Sequence, residues 1–350
     1  MSNAKLTKSA EKVLKYMKKQ QRNGELTANR RELAKNLNLG TATISRAIQQ
    51  LQEQGYLSKL SGKEECKANT YFLAGNLEEV ARMTAKPVEK IIYPLDKLNF
   101  HLWQGLESKR WNVGVKKQGS KEEVNVIFEP IFSGKPMNAY DKRVNTSAFA
   151  LYNAGNEYMT AGQIYRTMGG EGYPNQKKYE KLKQSIEKMA IVRININNEQ
   201  EAIKYKYPTF QRYGANLLAC SYEETIELNS GKSNYCLHML EIPPLMKYAI
   251  VHTQVTTYTP EQFQMPLSMT EMNCAIDDYF RYRIARASGS TVKILLKTLF
   301  EYCNISTRND RYYAKQRFDK FLTFYAEVKL IQDYTIKLDT DEEDYILIRL

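Results

Sequence analysis

The sequence predicts an α+β fold, mostly helical, in which short strand pairs close successive groups of helices. Three observations predict it. Apolar residues recur at helical spacing, first at Val13, Leu14 and Met17, then at Leu33, Ala34 and Leu37, then at Ile44, Ala47, Ile48 and Leu51. Alternating segments short enough to be paired strands follow that group, and the same order returns twice further along the chain. With 350 residues, 43% of them apolar and 26% charged, the chain is long enough for two or three cores rather than one.

The first group is the clearest. A helix over Ser9 to Gln20 turns Val13, Leu14 and Met17 inward and leaves Lys12, Lys15, Lys18 and Lys19 outside. Thr27 is placed to cap the next helix, and Asn38, Leu39 and Gly40 form the turn after it. A further helix opens at Thr41 or Thr43 and stops at Gly55, a residue suited to a left-handed C-cap. Tyr56 to Leu60 and Asn69 to Leu73 then read as two strands around the loop SGKEECKA. This order is that of a winged helix-turn-helix, and the outward face of its third helix carries Thr41, Thr43, Ser45, Arg46, Gln49 and Gln50. Short hydroxyls, amides and an arginine are the groups that reach base edges and phosphates in a major groove, and Lys63 and Lys67 in the loop are placed for the flanking backbone.

Charge points the same way. Residues 1–75 hold fourteen Lys plus Arg against six Glu, net +8, out of +12 for the whole chain. Such concentration is the footprint of a phosphate-binding module, so double-stranded DNA is the expected partner.

Residues 76–135 read as a linker helix over Asn76 to Thr84, a linker from Ala85 to Asn99 containing Pro87 and Pro94, and a hairpin of Trp111 to Lys117 with Glu123 to Phe128. Residues 136–260 repeat the helical grammar. Asn138 to Ala154 is a helix with Val144, Ala148, Leu151 and Tyr152 on one side, and Thr160 caps Ala161 to Met168. After the turn GGEGYPN, a helix over Gln176 to Met189 buries Tyr179, Leu182, Ile186 and Met189 and exposes Lys177, Lys178, Lys181 and Lys188. Ile191 to Ile196 and Ala202 to Tyr207 alternate as strands, and two more strands are expected near Glu223 to Leu228 and Tyr235 to Leu240. Residues 261–350 give a third copy. Its helices run from Thr270 to Ala287, from Thr291 to Cys303 with Ile294, Leu295 and Leu299 buried, and onward from Thr307. The last one carries Ala314, Phe318, Phe321, Leu322 and Tyr325 at core spacing, with Arg308, Arg311, Lys315 and Lys320 outside. Strands Leu330 to Leu338 and Asp344 to Leu350 close it around an acidic tip, Asp339 to Glu343, which disfavours phosphate contact there. The fold class is therefore α+β with multiple winged helix-turn-helix domains, at residues 1–75, 136–260 and 261–350.

The segments NAYDKRVNTSAFALYNAGNEYMTAGQIYR (138–166), QKKYEKLKQSIEKMAIVRININ (176–197), ILLKTLFEYCNI (294–305) and RFDKFLTFYAEVKLIQDY (317–334) resemble the tandem winged-helix replication initiators of plasmids and related mobile elements. The resemblance is one of pattern and covers roughly the last 210 residues. It implies two similar halves straddling adjacent turns of an origin repeat, monomers on the repeats, a homodimer that represses its own promoter, and recruitment of host helicase or primase machinery. The chain departs from that family by the additional domain in front, which also resembles the DNA readers of bacterial transcriptional regulators.

No enzyme chemistry is expected. His101, His238 and His252 are the only histidines and do not form the His-apolar-His pair that a nicking tyrosine needs beside it. A GxxxxGK[ST] loop is missing, and Gly169, Gly170 and Gly172 read as a turn between helices. The five cysteines are scattered, without a CxxC pair, which fits reduced structural thiols and no metal. Asp277 and Asp278 read as solvated surface. Of the 25 tyrosines many stand beside Lys or Arg, as at 204–207, 279–283 and 311–313, an interleaving that suits half-buried rings and nucleic-acid backbones alike. No apolar run is long enough to cross a bilayer, so a cytoplasmic protein without cofactors is expected. Two function classes fit these residues: an initiator that binds origin DNA through several readers, and a transcriptional regulator whose C-terminal part dimerises or senses an effector.

Overall fold

The computed structural model describes residues 7–20, 25–53, 57–60, 69–73, 81, 85–104, 111–115, 122–131, 136–208, 210, 212–226, 233–337 and 344–350. It is a mixed α/β structure with twelve helices and several small sheets among those residues. The chain divides into two compact units, residues 1–85 with 223–236, and residues 86–222 with 237–350.

In the first unit α1 (Lys8–Gln20), β1 (Glu25–Ala28), α2 (Arg30–Leu37), α3 (Thr41–Glu53), β2 (Leu57–Leu60) and β3 (Asn69–Leu73) follow one another. The last strand, β3, lies between β1 and β2 and is antiparallel to both. Ala10, Val13 and Met17 pack with Leu33, Ala34, Leu37, Ile44, Ala47, Ile48, Leu51 and Leu57 into one aliphatic core. One expectation changes: Thr27 lies inside β1, opposite Thr70, and does not cap α2. The cap is Asn29, whose side chain accepts the Glu32 N–H at 2.7 Å while the Glu32 carboxylate accepts the Asn29 N–H at 3.2 Å. Asn followed three residues later by Glu satisfies two otherwise unpaired helix N–H groups reciprocally, which a threonine two positions earlier cannot do. Gly55, the loop with Lys63, Cys66 and Lys67, and all of the Asn76 to Thr84 helix but Ala81 lie outside the described residues.

The second unit opens with β4 (Ile91–Pro94) and α4 (Lys97–Leu102), where a linker is expected. β4 pairs antiparallel with β12 (Val255–Tyr258), and Ile91, Tyr93 and Leu95 join Tyr258 and Phe263 in a small core. The prolines mislead here because Pro94 ends its strand, where no ladder bond is broken. β5 (Trp111–Val115) and β6 (Val124–Ile131) form the expected hairpin. It continues through β8 (Arg193–Asn197) to β9 (Arg212–Asn216) as a four-stranded sheet. Residues 202–207 are therefore not the partner strand of β8. Residues 202–205 belong to α8 (Glu199–Tyr205), which has Glu199 and Glu201 in its first turn, Lys204 near its end and Lys206 at φ 54° as left-handed stop. Acidic start and basic end match the helix dipole, and that wins over a short alternation.

The helices α5 (Ala139–Asn153), α6 (Ala161–Thr167) and α7 (Gln176–Ile191) stand where the periodicity puts them, with β7 (Tyr158–Thr160) between the first two. Asn138, Thr160 and Asn175 cap them. α5 is not one-sided: every residue from Ala139 to Leu151 is buried, charged ones included. The glycine stretch is the turn from α6 to α7. At Gly169, with φ +97°, a Cβ would stand 2.9 Å from the Met265 nitrogen, so no other residue fits. β10 (Cys220–Ile226) and β11 (Ser233–Met239) follow, with β11 between β10 and β7, and α9 (Pro244–Val251) leads into β12.

Residues 271–349 run as α10 (Glu271–Ala285), β13 (Thr291–Leu295), α11 (Leu296–Tyr302), α12 (Arg308–Glu327), β14 (Asp333–Lys337) and β15 (Tyr345–Arg349). β15 lies between β13 and β14, antiparallel to both. The single helix expected over Thr291 to Cys303 is thus a strand running into a shorter helix. Val292 and Ile294 are buried and Thr291 and Lys293 exposed, a period of two in a β-branched stretch, and Leu295 at the junction is only half-buried. Phe280, Phe300, Phe318, Phe321 and Tyr325 dominate this core. The acidic tip at 338–343 lies outside the described residues.

Candidate nucleic-acid interface

The inward residues Ile44, Ala47, Ile48 and Leu51 fix which side of α3 faces out. α2 ends on Asn38 in the left-handed conformation (φ 49°), and Lys12 donates to the Leu37 carbonyl at 2.8 Å, a cation on the negative end of the helix. On the outer side Thr41, Arg46 and Gln49 are exposed and Thr43 and Ser45 half-buried. Gln50 differs from the rest: its amide oxygen accepts the Thr7 hydroxyl at 2.8 Å and the Thr7 N–H at 3.3 Å, tying α3 to the start of α1. Lys63 and Lys67 lie outside the described residues.

The four lysines selected on α7 separate. Lys177 is exposed, while Lys178 donates to the Tyr165 hydroxyl at 2.8 Å. Lys181 sits 4.2 Å from the Tyr140 ring centre and 3.6 Å from the Glu271 carboxylate. Lys188 pairs with Asp141 and donates to the Pro136 carbonyl at 3.0 Å. Asp141 also accepts Ser185 at 2.7 Å, so this cluster pins the start of α5 to α7 and leaves Lys188 little reach outward. On α12, Arg308 is exposed, Arg311 lies 5.4 Å from the Phe300 ring centre, and Lys315 is 2.8 Å from Asp344.

Asp277 and Asp278 are the plainest departure from the sequence reading: both are buried, not solvated. Asp277 on α10 accepts Arg143 of α5 at 2.6 Å, Arg281 at 2.9 Å and the Tyr325 hydroxyl at 2.6 Å. Asp278 accepts Lys142 at 2.6 Å, Tyr302 at 2.6 Å and Tyr93. Burial would raise the Asp277 carboxyl, but the Arg281 and Arg143 guanidiniums outweigh it and hold Asp277 below the usual carboxylate range. Burial pushes Asp278 up to about 7 and brings Lys142 down to about 7. Adjacent Lys142-Arg143 and Asp277-Asp278 on two apolar helices was the available signal, and it could not say which helices meet.

Lys178, Lys181, Lys188, Arg311 and Lys315 therefore each engage another group of the protein, and Arg46, Lys177 and Arg308 are exposed on the helices read as DNA-contacting. Such an arrangement offers hydrogen-bond donors and cations to a polyanion. Among the described residues no cluster of metal-binding side chains occurs, and no helix is long and apolar enough to cross a membrane.

No family model matches the chain and no curated protein matches it. Among solved structures it is similar to domains 2 and 3 of RctB. One such structure has 16% identity and a TM-score of 0.43, covering 70% of this chain and 95% of that one. A selenomethionine structure of the same domains has 15% identity and a TM-score of 0.40, covering 71% and 98%.

Proposed function

We propose that the chain is a sequence-specific double-stranded DNA-binding protein without enzymatic activity, and that it initiates replication of a plasmid or other mobile element. The observation that carries this reading is a repeated topology. Helix, strand, helix, helix, strand, strand, with the last strand in the middle of the sheet, occurs at residues 8–73 and again at 271–349. We read both as winged helices, and residues 139–216 as a divergent one whose strands pair with other neighbours. Several readers on one chain fit an extended origin footprint better than a single operator. Binding to origin repeats, recruitment of host helicase or primase, and a repressing homodimer follow the resemblance given above.

The test has two parts. A cleavage footprint of the full chain on the DNA flanking its own gene is expected to exceed about 20 base pairs, two helical turns. A circle carrying only the gene and that flanking DNA is expected to replicate in a host that cannot use the vector origin. A footprint within one turn, with no replication, would instead favour a transcriptional regulator.

A further inference from the structure

The outer face of α12 carries more than the cations selected from the sequence. Between Arg308 and Lys320 there are five basic residues and two acidic ones. Both carboxylates are held internally, Asp310 by the Thr307 hydroxyl and Asp319 by the Tyr334 hydroxyl, each at 2.7 Å. Three of the cations are held too: Arg311 over Phe300, Lys315 on Asp344 and Arg317 against Met272. Asn309, Tyr312 with Tyr313, Gln316 and Lys320 form an exposed stripe at helical spacing, with Arg308 at its head; Arg311 and Asp319 are exposed as well, each engaged as described. Tyr312 and Tyr313 are 61% and 56% exposed, and their rings meet edge-on at 5.5 Å, so they present one apolar step flanked by two amides.

The position of this stripe matches the face of α3 already singled out. Counted from the first residue of each helix, Ser45 and Arg46 correspond to Tyr312 and Tyr313, and Gln49 corresponds to Gln316. Each of these helices lies in the same topological place.

We propose that α12 reads A·T base pairs in the major groove of a DNA duplex through Asn309, Tyr312, Tyr313 and Gln316, with Arg308 and Lys320 on the flanking phosphates. The chemistry selects the base pair. An Asn or Gln amide matches the donor and acceptor that adenine shows in the major groove, and an apolar surface beside it favours the thymine methyl. Guanine is better matched by arginine, and among the described residues of this helix Arg308 stands at the head of the stripe, Arg311 lies over Phe300 and Arg317 against Met272. The inference rests on the DNA-binding reading above.

The experiment is a selection from a pool of random-sequence duplexes by the full chain, followed by anisotropy titration of the enriched duplex. Wild type is expected to enrich a motif containing an A·T block, and replacing that block by G·C to weaken binding about 10- to 100-fold. The pairs Asn309→Ala with Gln316→Ala, and Tyr312→Ala with Tyr313→Ala, are each expected to lose most of that discrimination. Their unfolding curves should match wild type, since all four side chains are outside the core. If wild type enriches a motif and both pairs keep full discrimination at every position, or lose it only at G·C pairs, this assignment of α12 is overturned while DNA binding stands. Loss confined to an unpaired oligo-dT strand, with duplex reading unchanged, would also overturn it and make the tyrosines a stacking platform for single strands. If wild type enriches no motif, both readings fall.

Discussion

Residues 8–73 and 271–349 share one order of elements and one strand order, yet they are built from different materials. The first is closed by Val, Leu, Ile, Met and Ala, and among its described residues it buries no charged side chain. The second adds aromatic rings to its aliphatic residues and buries Asp277 and Asp278 against Arg281 and against Lys142 and Arg143 of α5. In the first, Arg46 is left on the outside, whereas in the second Lys315 pairs with Asp344 and Arg311, though exposed, lies over the Phe300 ring. Patterning thus preserves a topology while the jobs of its charges diverge, and a basic residue on a helix in this place is not by itself evidence of a phosphate contact.

The sharpest way to break this comparison is Asp277→Ala. It leaves the Arg143 and Arg281 guanidiniums buried without their shared carboxylate, and removing one partner of a buried ionic cluster costs about 3–5 kcal/mol. Equilibrium urea unfolding of the full chain should show a loss of that size; less than about 1 kcal/mol would mean the cluster is incidental to stability. The acid dependence has a defined sign. Because the folded-state pKa of Asp277 is lowered, its contribution is fully present above the unfolded value near ~3.9 and is lost as pH falls through the folded value.

That cluster also marks the limit of legibility in the sequence. Periodicity placed α1, α3, α5, α7, α10 and α12, because each carries apolar residues at steps of three and four over at least three turns. It missed β1 and misread β13, the same element in the two like regions. A strand of four or five residues between helices has too few alternations to be seen, and β13 runs into α11 without a break. Among the candidate contacts, exposure of Arg46 and Lys177 followed from their own helices, whereas the partners of Gln50, Lys188 and Lys315 lie 43, 47 and 29 residues away. A local pattern carries no information at that distance.

Within the first unit, Arg46→Ala is expected to weaken specific DNA binding by about 1–3 kcal/mol, and Gln49→Ala to relax preference at one base pair. Gln50→Ala should instead lower stability, since its amide oxygen holds Thr7. Anisotropy titrations paired with unfolding curves separate the two effects. A Gln50→Ala variant that unfolds like wild type but changes base preference would return Gln50 to the reading face.

On α7 the comparison is between neighbours on one helix. Lys177→Ala should reduce the slope of log affinity against log salt by about 1, the signature of one lost phosphate contact. Lys188→Ala should leave that slope unchanged and cost about 1–3 kcal/mol in unfolding, because Asp141 stays buried without its cation. Equal slopes for wild type and Lys177→Ala would remove α7 from the DNA interface.

The smallest effects test how each like region starts its second helix. In the first, β1 ends before α2 and leaves room for Asn29, whose capping box serves two N–H groups. In the second, β13 continues directly into α11, whose cap position is Leu295 with no side-chain bond. Asn29→Ala should therefore cost about 1 kcal/mol and Thr27→Ala less, because Thr27 lies in a strand and not at the helix end. Leu295→Asn offers α11 a cap it lacks, but an amide would replace a half-buried apolar side chain where the strand must hold its register with Tyr345. If capping limited this helix, Leu295→Asn would stabilise by a few tenths of a kcal/mol or more. Destabilisation is the expected result, since the strand already fixes the entry of α11, and a gain in unfolding free energy would show that the two regions solve the same junction in the same way.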